Sequence, residues 1–414
     1  MQSSGTVAAN GQSLRLTLPD IPIPDPMAKK QSGNISRYDS IALVLQGGGA
    51  LGAYQVGVYE ELFRTPYQPD WVAGVSIGAI NSALIVGNPP ERRMDRLREF
   101  WYLVSSEVSY PAPDEERLRT AFNSWSAGYA AMLGVPGFYR PRFPPALTGV
   151  PGHAKVVSVY DTTHLRETLL KLVDFDLINS KTIRLSVGAV DVRTGNSVYF
   201  DNFERTITVE HILASGALPP AFAPVEIDGE FYWDGGIVSN TPLQYVLDSR
   251  DSHSMLVLQV DLFPARGELP TDLGEVLVRQ KDIQYSSRTR YNTDMAAKVQ
   301  NARQTVRELL QALPESVRSN RRVRELEEWL RMPPVDIVHL IYRQKAYEHE
   351  SKDYDFSRAS VLEHWRAGAV DMRDSLNHPE WLALSGLDEG VTVYDFLRPS
   401  ATTNPTPAAN KESP

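Results

Sequence analysis

Apolar residues in this chain gather in short runs separated by glycine-rich or polar turns. Ile41-Ala42-Leu43-Val44-Leu45 is wholly apolar, the pattern of a strand buried on both faces of a parallel sheet. Gly47-Gly48-Gly49 follows, and Ala50 to Phe63 then reads as a helix. A second strand, Trp71 to Val75, leads through Ser76 into a helical stretch from Ile77 to Ile85. This strand–turn–helix repetition predicts an α/β fold of three layers, a central and mainly parallel sheet flanked by helices.

Further along, residues 91–133 read as helical, broken around Pro111 and Pro113. Residues 134–152 are dense in proline, glycine and aromatics, including Phe138, Tyr139 and Phe143, and read as a long loop packed on the core or serving as a lid. A helix capped by Asp161 is expected from Asp161 to Leu172. Strands are expected at Thr182–Val190 and Ser197–Phe200, around the turn Arg193-Thr194-Gly195-Asn196, and at Gly229–Tyr232 and Met255–Val260. A mostly helical segment then runs from about 271 to 331. The strand Val335–Ile341, expected to join the main sheet, and a helix over Ser357–Leu376 complete the pattern.

Composition narrows the class. Of 414 residues, 42% are hydrophobic and 22% charged, the balance of a soluble globular protein. Residues 1–40 are rich in Ser, Pro, Gln and Gly and read as a disordered leader, with 399–414 as a similar tail. No run approaches the ~20 apolar residues of a bilayer span, and the N-terminus lacks the charged start and apolar stretch of a signal peptide. A cytoplasmic location with peripheral membrane contact is expected. The 51 acidic and 42 basic residues leave a net charge of −9, which argues against nucleic acid as a partner. There are no cysteines. That excludes disulfides, thiolate metal sites and a cysteine nucleophile. No metal-binding pattern occurs, and neither metal nor cofactor is expected. Asp353 and Asp355 flank Tyr354 in a polar stretch that reads as a solvated turn.

Three motifs carry chemistry. Gly74-Val75-Ser76-Ile77-Gly78 is a G-x-S-x-G placed where a strand turns into a helix. Such a turn pushes the serine hydroxyl out at the sheet edge, and glycines leave room on both sides. The alternative is a glycine-rich turn with an N-capping serine. Gln46 to Gly52 exposes several backbone N–H groups in a nest that suits an anion, either a phosphate or the oxyanion of a tetrahedral intermediate. Its glycines also match G-x-G-x-x-G, but the acid that a dinucleotide site needs at the end of the next strand is missing. The third motif is Trp233-Asp234-Gly235-Gly236. Asp-Gly is a common hairpin turn. The unusual backbone of Ser215 to Pro220 and of Asn240-Thr241-Pro242 favours a carboxylate held near a hydroxyl, as a general base requires.

Taken together, the set resembles the patatin-like phospholipase family, in a bacterial-type form with an additional C-terminal region. That family has a glycine-rich oxyanion loop, a G-x-S-x-G elbow and a D-G-[GA] aspartate in this order. Residues 215–225 and Asn240-Thr241-Pro242 add to the likeness. The resemblance covers 41–262, which would be the catalytic domain, with 263–398 a mostly helical accessory region packed on it. It implies a lipid acyl hydrolase working through a Ser–Asp dyad and an acyl-enzyme. Ser76 would be the nucleophile, Asp234 the base, and Gly47, Gly48, Gly49 and Ala50 the oxyanion or substrate contacts. Gly74, Gly78, Gly235 and Gly236 support the motifs. The partner implied is a lipid or phospholipid, met in transient contact with a membrane. One departure stands out: the family usually has Arg or Lys before the last glycine of the loop, and here Leu51 takes that place. Loss of the cation would weaken anion stabilisation or alter head-group preference.

Two other readings fit the sequence less well. A Ser-His-Asp carboxylesterase needs a catalytic histidine, and none of the eight sits in a recognisable catalytic context. His253 and His339 come nearest, and each reads as a surface or packed residue. A non-catalytic lipid-binding relative would not need all three motifs.

Overall fold

The sheet forms where the apolar runs predict it. The computed structural model describes residues 38–142, 158–250, 254–330, 333–345, 347–348, 351–378 and 391–395. Nearly all of the expected leader, the expected tail and positions 143–152 of the proline-rich loop lie outside these residues, as do His153, His253 and His349. In chain order, β1 (Ser40–Leu45) leads through a 3-10 turn into α1 (Gly52–Phe63), and β2 (Trp71–Val75) into α2 (Ile77–Val86). The stretch broken at Pro111 and Pro113 resolves into α3 (Pro90–Val104) and α4 (Glu116–Leu133). The short strands β3 (Arg140–Pro141) and β4 (Tyr160–Asp161) pair with each other, ahead of α5 (Thr163–Leu172) and α6 (Phe175–Asn179). Asp161 was expected to cap α5. It lies in β4, and its Oδ1 accepts the Thr163 N–H at 2.7 Å, while Thr162 is the cap residue.

The hairpin of β5 (Arg184–Asp191) and β6 (Ser197–Asp201) comes next, followed by α7 (Val209–Ser215), β7 (Val225–Ile227), β8 (Glu230–Asp234), α8 (Leu243–Asp248) and β9 (Met255–Asp261). The C-terminal part holds α9 (Leu273–Gln311), α10 (Glu315–Arg318), α11 (Arg321–Leu330), β10 (Val335–Ile341), α12 (Arg358–Leu376) and β11 (Val391–Tyr394).

Among the described residues the main sheet runs β11-β10-β9-β1-β2-β5-β8-β7, with β6 also on β5. From β11 to β5 every neighbour on this path is parallel, and β6, β8 and β7 pair antiparallel. The three layers follow from strand alternation. Ile41, Leu43 and Leu45 face the larger core, shared with α1, α2 and α3. Ala42 and Val44 face the opposite core with Trp71, Val257 and α8. Both faces are covered, which is why β1 is apolar at successive positions. Among the described residues no helix is long and apolar enough to cross a membrane.

Candidate active site

Ser76 stands on the turn between β2 and α2 with φ 56° and ψ −123°. A non-glycine residue in this half of the map carries a backbone cost of about 1–3 kcal/mol. Its neighbours explain how the turn is held. A Cβ on Gly74 would come within 2.3 Å of the Gly78 carbonyl, and one on Gly78 within 2.3 Å of the Leu45 carbonyl. The Ser76 N–H donates to the carbonyl and hydroxyl oxygens of Ser215, at 3.1 and 3.0 Å. Ser215 in turn donates its hydroxyl to the Gly188 carbonyl on β5 at 2.6 Å. The elbow is thus tied to the neighbouring strand, and the Ser76 carbonyl accepts the first N–H bonds of α2.

Asp234 ends β8, buried, with the Ser76 side chain close enough to its carboxylate to lower its pKa. Its Oδ1 also accepts the Gly236 N–H at 2.7 Å. Burial pushes its pKa up from 3.8 to about 6, against the Ser76 side chain and the Gly236 N–H, which pull it down. Gly235 is required by close approach, since a Cβ there would lie 2.7 Å from the Gly188 carbonyl.

The glycine loop faces the same point. A Cβ on Gly47 would come within 3.0 Å of Ser76 Cβ and 2.3 Å of Asn240 Oδ1. The four contacts expected there divide into two pairs. The Gly47 N–H donates to the Asn240 carbonyl at 3.1 Å, and the Ala50 N–H to the Asp353 carbonyl at 2.9 Å. Those two donors are spent inside the protein. For the N–H groups of Gly48 and Gly49 no acceptor is found among the described residues. Leu51 is fully buried in the core, so the position of the missing cation is filled by packing.

Residues flanking the three motifs hold the site. Asn240 Nδ2 donates to the Gly47 carbonyl at 2.9 Å, so Asn240 grips that residue from both sides. Gln46 is buried, and its Oε1 accepts the N–H groups of Leu262 and Phe263 at 2.6 and 3.0 Å. The stretch around Tyr354 is a correction. It was read as a solvated turn, but Asp355 is buried, accepting from the Ser357 N–H and the Ser360 hydroxyl. Asp353 accepts from Lys281 Nζ at 2.7 Å.

A cavity of about 290 Å³ opens over Ser76 and Asp234. Ile77 and Ile80 of α2 form part of its wall, with Phe138, Tyr139, Phe222 and Phe356. Phe138 and Tyr139, from the proline-rich loop, both pack on the core and line the cavity. Tyr285, Asp353 and Tyr354 bring the C-terminal region to the same wall. No histidine lines it among the described residues. His339 pairs with Asp261 and His364 with Glu348, and His211 Nδ1 accepts the Thr208 N–H. Among the described residues no cluster of His, Asp or Glu could hold a metal ion.

Fold and site together define an α/β protein with a strained serine elbow, a buried carboxylate beside it, and an apolar cavity above both. The chain belongs to the patatin-like phospholipase family. Residues 43–247 match the family described as Patatin-like phospholipase, and residues 283–386 one described as Patatin phospholipase. The patatin-like phospholipase domain-containing protein 7 of mouse is 24% identical over 236 residues, and that of rat 23% over 224. These alignments take in 57% and 54% of this chain but only 14% of each relative, so the chain spans a small part of their length. Among solved structures, VipD from Legionella pneumophila is 16% identical, with 82% of this chain and 67% of that one covered and a TM-score of 0.35. The ExoU–SpcU complex of Pseudomonas aeruginosa is 17% identical, covering 90% and 82%, with a TM-score of 0.26.

Proposed function

We propose that this protein is a serine acyl hydrolase that cleaves a carboxylic ester of a lipid through an acyl-Ser76 intermediate. The observation that carries the reading is Ser76, on its strained elbow, meeting the buried Asp234 carboxylate at the base of an apolar cavity. Ser76 Oγ attacks the ester carbonyl as Asp234 takes its proton. The oxyanion that forms is met by the N–H groups of Gly48 and Gly49, with the N-terminus of α2 adding a favourable field. Asp234 returns the proton to the departing alcohol. It then removes one from the water that attacks acyl-Ser76 and passes it to Ser76 Oγ as the acyl–oxygen bond breaks and the fatty acid leaves. The aromatic and aliphatic wall suits an acyl chain, which supports a lipid ester as the substrate. Peripheral contact with a membrane belongs to the same reading, because the ester must be drawn from a lipid surface.

Labelling with a fluorophosphonate probe and hydrolysis of a lipid panel test it together. The wild type is expected to label and to release fatty acid. Ser76→Ala should do neither, and Asp234→Asn should lose turnover by at least about 10²-fold. An unlabelled, inactive wild type refutes the hydrolase, and an active Asp234→Asn refutes the dyad.

A further inference from the structure

Helix α4 is folded inside out. The face it buries is small and polar, made of Asn123, Ser126, Ala127 and Ala130. The face it turns outward carries the large apolar residues: Leu118 is 54% exposed, Trp125 53%, Met132 77% and Leu133 58%. Phe122 and Tyr129 lie between them at helical spacing, and their rings contact that of Trp125 at 6.1 and 5.6 Å. Burial ordinarily places leucine, tryptophan and methionine inward. An outward stripe of this size marks a surface that something apolar covers.

Two observations identify the cover. The first is position. Ala131, between Ala130 and Met132, lines the cavity over Ser76, and its carbonyl accepts the hydroxyl of Tyr160, another cavity residue, at 2.7 Å. The chain then turns at Gly134, and Phe138 and Tyr139 enter the cavity wall. The second is charge. From Arg117 to Arg142 the chain carries four arginines and no acidic residue, while the exposed Asp114, Glu115 and Glu116 stand just before it, at the end of α4 opposite Ala131. Arg119 and Arg142 pair with Glu363 and Asp161, while Arg117 and Arg140 are exposed. An apolar, tryptophan-bearing helix face flanked by arginines fits the interface of an anionic bilayer.

We propose that the outer face of α4 docks the protein on an anionic lipid surface and sets the rim of the Ser76 cavity against it. The proposal rests on the lipid-hydrolase reading for its purpose, not for its test. Ser76→Ala protein is mixed with vesicles of phosphatidylcholine alone, or with one-third phosphatidylglycerol, and bound protein is sedimented. Binding is expected to be tighter to the anionic vesicles and to weaken with salt. Adding Trp125→Ser, Met132→Ser and Leu133→Ser should weaken it about tenfold or more. In the active background the same three changes should leave hydrolysis of a soluble nitrophenyl ester within about twofold and lower hydrolysis of vesicle lipid with the binding. Equal vesicle binding with and without the three changes overturns the proposal. So does a parent that binds neither vesicle, or that is a dimer which the changes dissociate without any vesicle binding. If binding behaves as expected but no ester is cleaved, the hydrolase reading falls and the docking face stands.

Discussion

Asp234 shows what the site costs the fold. Its pKa is about 6 in the folded protein and 3.8 in the reference state, so the fold holds its proton more tightly than the unfolded chain does. Between those values stability falls as pH rises, and above pH 6 the buried charge costs about 3 kcal/mol relative to pH below 4. Asparagine resembles the protonated form and cannot titrate. Asp234→Asn is therefore expected to be more stable than wild type at pH 8, with the gain shrinking toward zero below pH 4. Urea denaturation across that range measures it, and a difference that does not change with pH refutes the argument. Activity should move the other way. A base must be unprotonated, so kcat/KM of the wild type is expected to fall about tenfold per unit below pH 6.

Among the elements, those buried on both faces were legible before the structure. β2 is a continuous apolar run, β1 is one after Ser40, and β9 and β10 are mostly apolar, because both faces of the sheet are covered. β7 and β11, three and four residues long, give too little pattern to read. The Ser76 elbow, the glycine loop and Asp234 were legible because their chemistry demands glycine at fixed local spacing. Asn240, Ser215 and Gln46 stand out in the sequence only as flanks of those motifs, and what each one holds was not legible, since their partners lie 139 to 217 positions away. Asp353 and Asp355 misled for a related reason. Their polar letters suggest solvent, yet Lys281, 72 positions off, and Ser360 satisfy them in the interior. The packing of α1 on α12 gives a test at this scale. A Cβ on Gly57 would lie 1.9 Å from the Trp365 carbonyl. Gly128, on α4, has nothing within 4 Å of its would-be Cβ. Gly57→Ala should lose about 1–3 kcal/mol because backbone must move, and Gly128→Ala should gain up to about 1 kcal/mol from helix propensity. Denaturant midpoints of the two variants should shift in opposite directions.

Over the whole molecule, the C-terminal region completes the site. β10 extends the main sheet beside β9. The Asp353 carbonyl holds the Ala50 N–H, and its position leaves no room for a side chain on Gly49, whose φ is +55°. Two ion pairs join that segment to α9: Lys281 with Asp353, and Lys352 with Asp282 at 2.8 Å. Lys352 is fully buried and also donates to Gln344 Oε1 at 2.9 Å. Replacing one member of such a pair strands the other charge, which costs about 3–5 kcal/mol, whereas replacing both with apolar groups is near neutral. Lys352→Met is expected to lower stability by that amount and to reduce ester hydrolysis, because Asp353 and the loop it braces lose their anchor. Lys352→Met with Asp282→Leu should recover most of the stability. Denaturation and soluble-ester hydrolysis on the three proteins separate the possibilities. If the double variant is as unstable as the single, lost packing and not a stranded carboxylate is the cause. If the single variant keeps full activity, the C-terminal region does not brace the glycine loop through this pair.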